Sequence, residues 1–211
     1  MNWVYFALMS VVTLMPVESF AQGVNVGASV FGLASIQPRD DTYIGGPYLS
    51  EGQGGFGPGL GGGISVIAPN GFVAAGEFTS AIFTVEQSGR LVSGCAISSL
   101  ECTTHTSSWH DHLLSGLIGY ATSTGRTRGV FLGGVSKNLG SSSLDGGPRR
   151  DTASEKLAFT VGFDALTGAL GTRTALVVNG RYSHVERGNL IFNGIGPHVF
   201  RFGVGLRVRL N

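Results

Sequence analysis

Residues 198–210 constrain this chain more than any other segment. Every second position is apolar or histidine: His198, Phe200, Phe202, Val204, Leu206, Val208 and Leu210. The positions between them are Val199, Arg201, Gly203, Gly205, Arg207 and Arg209. Successive side chains of a β-strand point to opposite faces, so this stretch makes a strand with one greasy face and one face of glycine and arginine. Seven weaker segments of the same kind precede it, at 23–35, 57–68, 72–86, 108–121, 128–138, 155–166 and 174–186. In the second, Leu60, Gly62, Ile64, Val66 and Ala68 alternate with Gly59, Gly61, Gly63 and Ser65. In the sixth, Leu157, Phe159, Val161, Phe163 and Ala165 share a face opposite Lys156, Thr160 and Asp164.

The connections alternate in length as well. Pro69-Asn70-Gly71, 122–127 and 167–173 are short and turn-like, whereas 36–56, 87–107, 139–154 and 187–196 are long and rich in Gly, Ser, Thr and charge. Short turns therefore fall at one end of an up-and-down sheet and long loops at the other. The 35 glycines and many β-branched residues disfavour helices. Mean hydropathy is positive, +0.23, yet no segment after residue 21 approaches the roughly 18 apolar residues a membrane helix needs. A chain that is hydrophobic overall but lacks long apolar runs suits a barrel of strands in lipid, because only half of each strand faces the lipid. The expected fold is all-β: an eight-stranded antiparallel up-and-down transmembrane β-barrel with short periplasmic turns and long external loops.

Residues 1–21 read as a cleavable signal peptide, with the apolar run Val4 to Leu14 leading to Ser19-Phe20-Ala21; no Lys or Arg precedes the run. Residues 22–211 then form one domain. Fourteen basic against 13 acidic residues leave no basic footprint for nucleic acid. Cys95 and Cys102, the two cysteines, lie in a polar segment of an exported chain and are expected to form a local disulfide.

The eight segments, the loop asymmetry and the closing strand Phe200-Arg201-Phe202-Gly203-Val204-Gly205-Leu206-Arg207-Val208-Arg209-Leu210 resemble the OmpA/OmpX-like small outer-membrane β-barrel domains. The resemblance covers 22–211 and is architectural. It implies residence in the bacterial outer membrane among lipid and lipopolysaccharide. It also implies that the barrel-assembly machinery reads Phe200, Phe202, Val204, Leu206, Val208 and Leu210. The chain departs from that pattern in finishing Leu210-Asn211 rather than on an aromatic residue.

An eight-stranded barrel holds side chains and little else. The expected inward charges are Glu77, Asp164, Arg181, Arg201, Arg207 and Arg209, and they must pair or be hydrated. The expected lumen is plugged by Glu–Arg contacts, with glycines of the second segment making room for arginines; a narrow pore is the alternative.

Other motifs carry less. Gly57-Pro58-Gly59-Leu60-Gly61-Gly62 matches a dinucleotide fingerprint literally but runs on into an alternating strand, where packing and curvature explain the glycines. His110-Asp111-His112 reads as a polar collar at the membrane edge, with metal binding as the lesser option. Ser183-His184-Val185-Glu186 invites comparison with lipid A deacylases, whose triad faces lipid. Here, however, Ser183 points away from His184, and the family's nucleophile position is not matched. Asn179-Gly180 hints at a bulge in the seventh strand. The expected function is non-enzymatic, without cofactor or metal, with a surface ligand held by the long loops. The competing classes are a soluble calycin-like barrel carrying an apolar ligand and a lipid A-modifying enzyme.

Overall fold

In a computed structural model of the chain, the described residues are 23–38, 41–45, 48–52, 55–91, 104–124, 127–144, 147–151, 156–168, 173–185 and 197–210. The expected signal peptide, both cysteines and Glu186 lie outside them. The strands are β1 (Asn25–Gln37), β2 (Asp41–Gly45), β3 (Tyr48–Gly52), β4 (Gly55–Ile67), β5 (Phe72–Leu91), β6 (Thr104–Thr124), β7 (Thr127–Asn138), β8 (Ser141–Leu144), β9 (Arg150–Asp151), β10 (Leu157–Thr167), β11 (Thr174–His184) and β12 (His198–Arg209).

Eight of these close on themselves. The order β5-β4-β1-β12-β11-β10-β7-β6 is antiparallel throughout, and β6 returns to β5. Closure removes the sheet edges, so no strand of the wall leaves a whole row of ladder groups unpaired, the condition lipid imposes. The first and last barrel strands zip together from Gly27↔Arg209 to Ile36↔Phe200.

The alternation read from the sequence sets which side chains point where. On β5, Phe78 and Ile82 are exposed, whereas Val73, Glu77, Thr79 and Ala81 are buried. On β12, Phe202, Val204, Leu206 and Val208 are exposed, and Arg201 and Arg207 are buried. Leu60 is 69% exposed and Phe131 63%, against 2% for Leu117. A closed wall whose large apolar residues face out must sit in lipid. Inside, Ile67, Val73, Leu117, Val130, Leu132, Leu166 and Val177 form one apolar cluster, and Leu113, Ala158, Val185 and Val199 form another.

The Pro69-Asn70-Gly71 turn shows how the short connections work. Gly71 takes φ 88°, a region few other residues enter cheaply, and its N–H donates to the Ala68 carbonyl at 3.0 Å. The Asn70 side-chain oxygen accepts from Phe72 N–H at 3.1 Å, closing the turn a second time.

Two expectations need correction. Segments 36–56, 87–107 and 139–154 are not loops throughout. β5 and β6 remain paired as far as Ser88↔Thr104. The hairpin of β2 and β3 adds to β5 beyond the point where β4 leaves it, from Gly52↔Gln87 to Tyr48↔Leu91. On the other side β8 pairs with β6 at Ser107↔Leu144 to His110↔Ser141, and β9 with β8. Twenty residues of β5 reach about 65 Å at strand rise, whereas a spanning strand needs only about 9–11 residues. The surplus forms a sheet in the order β2-β3-β5-β6-β8-β9 at the long-loop end. Its glycines, serines and charges hide it from a reading based on apolar alternation.

The second correction concerns Asn179-Gly180. β11 runs through it in unbroken register with β10 and β12, so no bulge forms. A Cβ on Gly180 would collide with the Phe163 ring, which lies over the glycine from the neighbouring strand.

Candidate functional site

The lumen holds the densest chemistry of the barrel. Arg181 on β11 reaches two carboxylates: its Nη2 lies 2.8 Å from Glu77 Oε2 on β5, and its Nη1 lies 2.7 Å from Asp164 Oδ1 on β10. Nη1 also donates to the Phe163 carbonyl at 2.9 Å. All three side chains lie within the barrel. Next to Arg181, directly across the β11–β12 ladder, stands Arg201. Two arginines opposite each other would repel. Each is instead turned to its own acid, Arg201 Nη2 meeting Asp111 Oδ2 at 2.7 Å. Arg201 also donates to the Thr79 hydroxyl. Gln37 Nε2 approaches the same Asp111 oxygen at 3.4 Å.

Asp111 corrects the sequence reading. The strand puts His110 and His112 on the outer face and Asp111, 2% exposed, inside. The flanking histidines disguise an inward aspartate as part of a solvated collar. The signal that finds it is parity: Trp109, Asp111, Leu113, Ser115 and Leu117 share one face and all are buried.

A belt of hydroxyls follows the wall. Ser115 and Ser136 are 2.7 Å apart, Ser136 and Thr160 2.6 Å, and Thr160 and Ser183 2.8 Å, linking β6, β7, β10 and β11. None of these residues was singled out in the sequence as a group, because their relation depends on strand register.

Arg207 and Arg209 stand apart from the ion pairs. Arg207 is buried and its Nε lies 3.3 Å from Ser65 Oγ. Gly27 makes its room: a Cβ there would overlap the guanidinium. The glycines of β4 serve other side chains than expected. Gly59 lies under Leu33 and Gly61 under the Phe31 ring. Arg209 is exposed at the short-turn mouth, at the last ladder pair with β1, and joins no described ion pair.

Between the Glu77–Arg181–Asp164 group and the apolar cluster of Ile67, Val73, Val130, Leu132, Leu166 and Val177, the free space is a cavity of about 30 Å³. That is room for about one water molecule.

On the outer face, at the long-loop end of β11 and β12, His184 and His198 are ladder partners with rings edge-on at 5.3 Å. The Tyr182 hydroxyl is 2.9 Å from His198 Nδ1, and Phe200 packs against Tyr182 at 5.1 Å. Ser183 is on the other side of the wall, bonded to Thr160, so it does not meet His184. Among the described residues no group of three or more His, Cys, Asp and Glu converges as metal ligands would. Gly57 to Gly62 lie within β4, as strand. Of the closing-strand residues, Phe202, Val204, Leu206, Val208 and Leu210 are exposed on the outside and Phe200 is half-buried beside Tyr182.

No family model matches the chain, and no curated protein does. Solved structures do. Ail, the attachment invasion locus protein of Yersinia pestis, in complex with the heparin analogue sucrose octasulfate, aligns over 90% of this chain and 100% of its own, with a TM-score of 0.51 and 11% identity. Neisserial surface protein A aligns over 90% of this chain and 100% of its own, with a TM-score of 0.51 and 15% identity. The chain has the fold of the small eight-stranded outer-membrane β-barrels. With its apolar exterior, that fold places it in the bacterial outer membrane, short turns toward the periplasm and long connections outside.

Proposed function

We propose that this outer-membrane barrel is a non-catalytic surface protein: the barrel anchors, and the external sheet presents a binding face. The observation that carries the reading is the sheet β2-β3-β5-β6-β8-β9 standing beyond the lipid-facing wall. A rigid scaffold that continues well past the membrane holds the connections at its tip, where binding usually resides. The filled lumen supports an anchoring rather than a transporting barrel. The separation of Ser183 from His184 weighs against the lipid A-modifying alternative. Lipid and lipopolysaccharide surround the wall, and the closing strand Phe200 to Leu210 is the segment we assign to recognition by the assembly machinery.

The test removes the platform and keeps the barrel. Replacing 38–54 with a short Gly-Ser turn deletes β2 and β3, which pair with β5 outside the closed ring. Cells carrying this form should lose attachment to immobilised polysaccharides or host surfaces while the protein still migrates as a heat-shifted band. A sulfated polysaccharide is a reasonable first probe, since Ail was crystallised with a heparin analogue. Unchanged attachment with a correctly folded barrel would count against the surface role.

A further inference from the structure

The opposite, periplasmic mouth carries a charge imbalance that the loops do not explain. Among the described residues, the inward-facing carboxylates are Glu77, Asp111 and Asp164, and each is taken by Arg181 or Arg201. Three further arginines face inward at the short-turn end: Arg128 on β7, and Arg207 and Arg209 on β12. Arg128 and Arg209 line an open vestibule of about 360 Å³ together with Asn25, Asn70, Tyr120 and Thr122, and among the described residues no carboxylate side chain lines it. Behind them, Arg207 is 7% exposed, and its Nη2 is buried without a hydrogen-bond partner. Arg128 and Arg209 are close enough to repel it, and the acid that attracts it, Asp164, already serves Arg181. A buried guanidinium nitrogen left without an acceptor is costly, and like charges gathered at a low-dielectric wall add to that cost.

From this we infer that the periplasmic vestibule is a binding site for a small oxyanion of at least two negative charges, bearing phosphate or paired carboxylates. Arg128 and Arg209 are the fork-shaped donors that meet the oxyanion bidentately, and Arg207 supplies the field behind them. The vestibule opens at the short-turn mouth, where a soluble periplasmic anion reaches it. Tyr120 on its rim belongs to the outer face, so the phosphatidylglycerol arm of the test separates a lipid headgroup from a free anion. It is independent of the external sheet.

The probe is inorganic pyrophosphate, titrated calorimetrically into the full chain in an uncharged maltoside detergent. Saturable binding is expected, weakened roughly tenfold or more by Arg128→Gln or Arg209→Gln. Lys137→Gln should leave it unchanged, because Lys137 pairs across to Leu114 and Leu157 on the lipid-facing side. Each variant is first checked for heat-shifted mobility. The Arg207 guanidinium nitrogen resonances of the unsubstituted protein should also move on titration, which keeps the test open if a variant fails to fold. Absence of saturable binding would overturn the inference, as would affinity in the two arginine variants unchanged from that of the unsubstituted protein. So would resonance shifts that appear only when phosphatidylglycerol is added to the micelles.

Discussion

Arg181 and Arg201 face each other across one ladder step, yet each is neutralised from a different direction, Arg181 by β5 and β10 and Arg201 by β6. Such pairs are stable only as pairs, because a single buried charge left behind is far costlier than none. Arg201→Met strands Asp111 in the lumen and should lower unfolding stability by about 3–5 kcal/mol, read as the urea midpoint of the barrel in micelles. Adding Asp111→Leu should return most of that loss. If the double variant is no more stable than the single one, the pair is not what holds this layer. Asp164, Arg181 and Arg201 were legible in the sequence as inward charges because their strands alternate cleanly. The alternation around Glu77 is ambiguous, and its inward place follows from setting Phe72, Ala74, Phe78 and Ile82 outside. Asp111 was not, since His110 and His112 make its segment look solvated. The hydroxyl belt was not legible either, because Ser115, Ser136, Thr160 and Ser183 become neighbours only through register.

At the scale of the strand, glycine in this barrel is a matter of space rather than freedom. Gly61 sits under the Phe31 ring, whereas Gly32, on the outer face of β1, has nothing near where its Cβ would lie. Gly61→Val should therefore overpack the wall and cost about 1–3 kcal/mol, while Gly32→Val should be nearly neutral. Equal effects in the same urea measurement would show that the Phe31 ring does not rest on β4 as described. Five of the eight barrel strands, the first, second, sixth, seventh and eighth in chain order, follow the apolar periodicity of the sequence; the third to fifth, at 72–86, 108–121 and 128–138, alternate ambiguously. The short turn at Pro69-Asn70-Gly71 follows its residue types. The ends of the strands do not. β5 and β6 run on past Ile82 and His110 into stretches of Ser, Thr, Gly and charge. There no lipid demands an apolar face, and main-chain pairing of β5 and β6 with each other and with β3 and β8 extends the sheet.

For the whole molecule, alternation leaves one question that composition does not answer: whether the greasy face points out to lipid or in to a ligand. The closed ring resolves it through the interior, where the described residues place ion pairs, hydroxyls and three apolar clusters, the third of Phe31, Leu33 and Ala81, with about 30 Å³ free beside the charges. The most direct measurement is the accessibility of nitroxide labels placed singly at Phe159, Phe163, Phe202 and Leu206 in bilayer-reconstituted protein. All four side chains are exposed on the outer wall, so all four labels should collide readily with membrane-dissolved oxygen and poorly with a water-soluble nickel chelate. Labels shielded from oxygen, or open to the chelate, would mean that this face does not meet lipid and that the chain is not a membrane barrel.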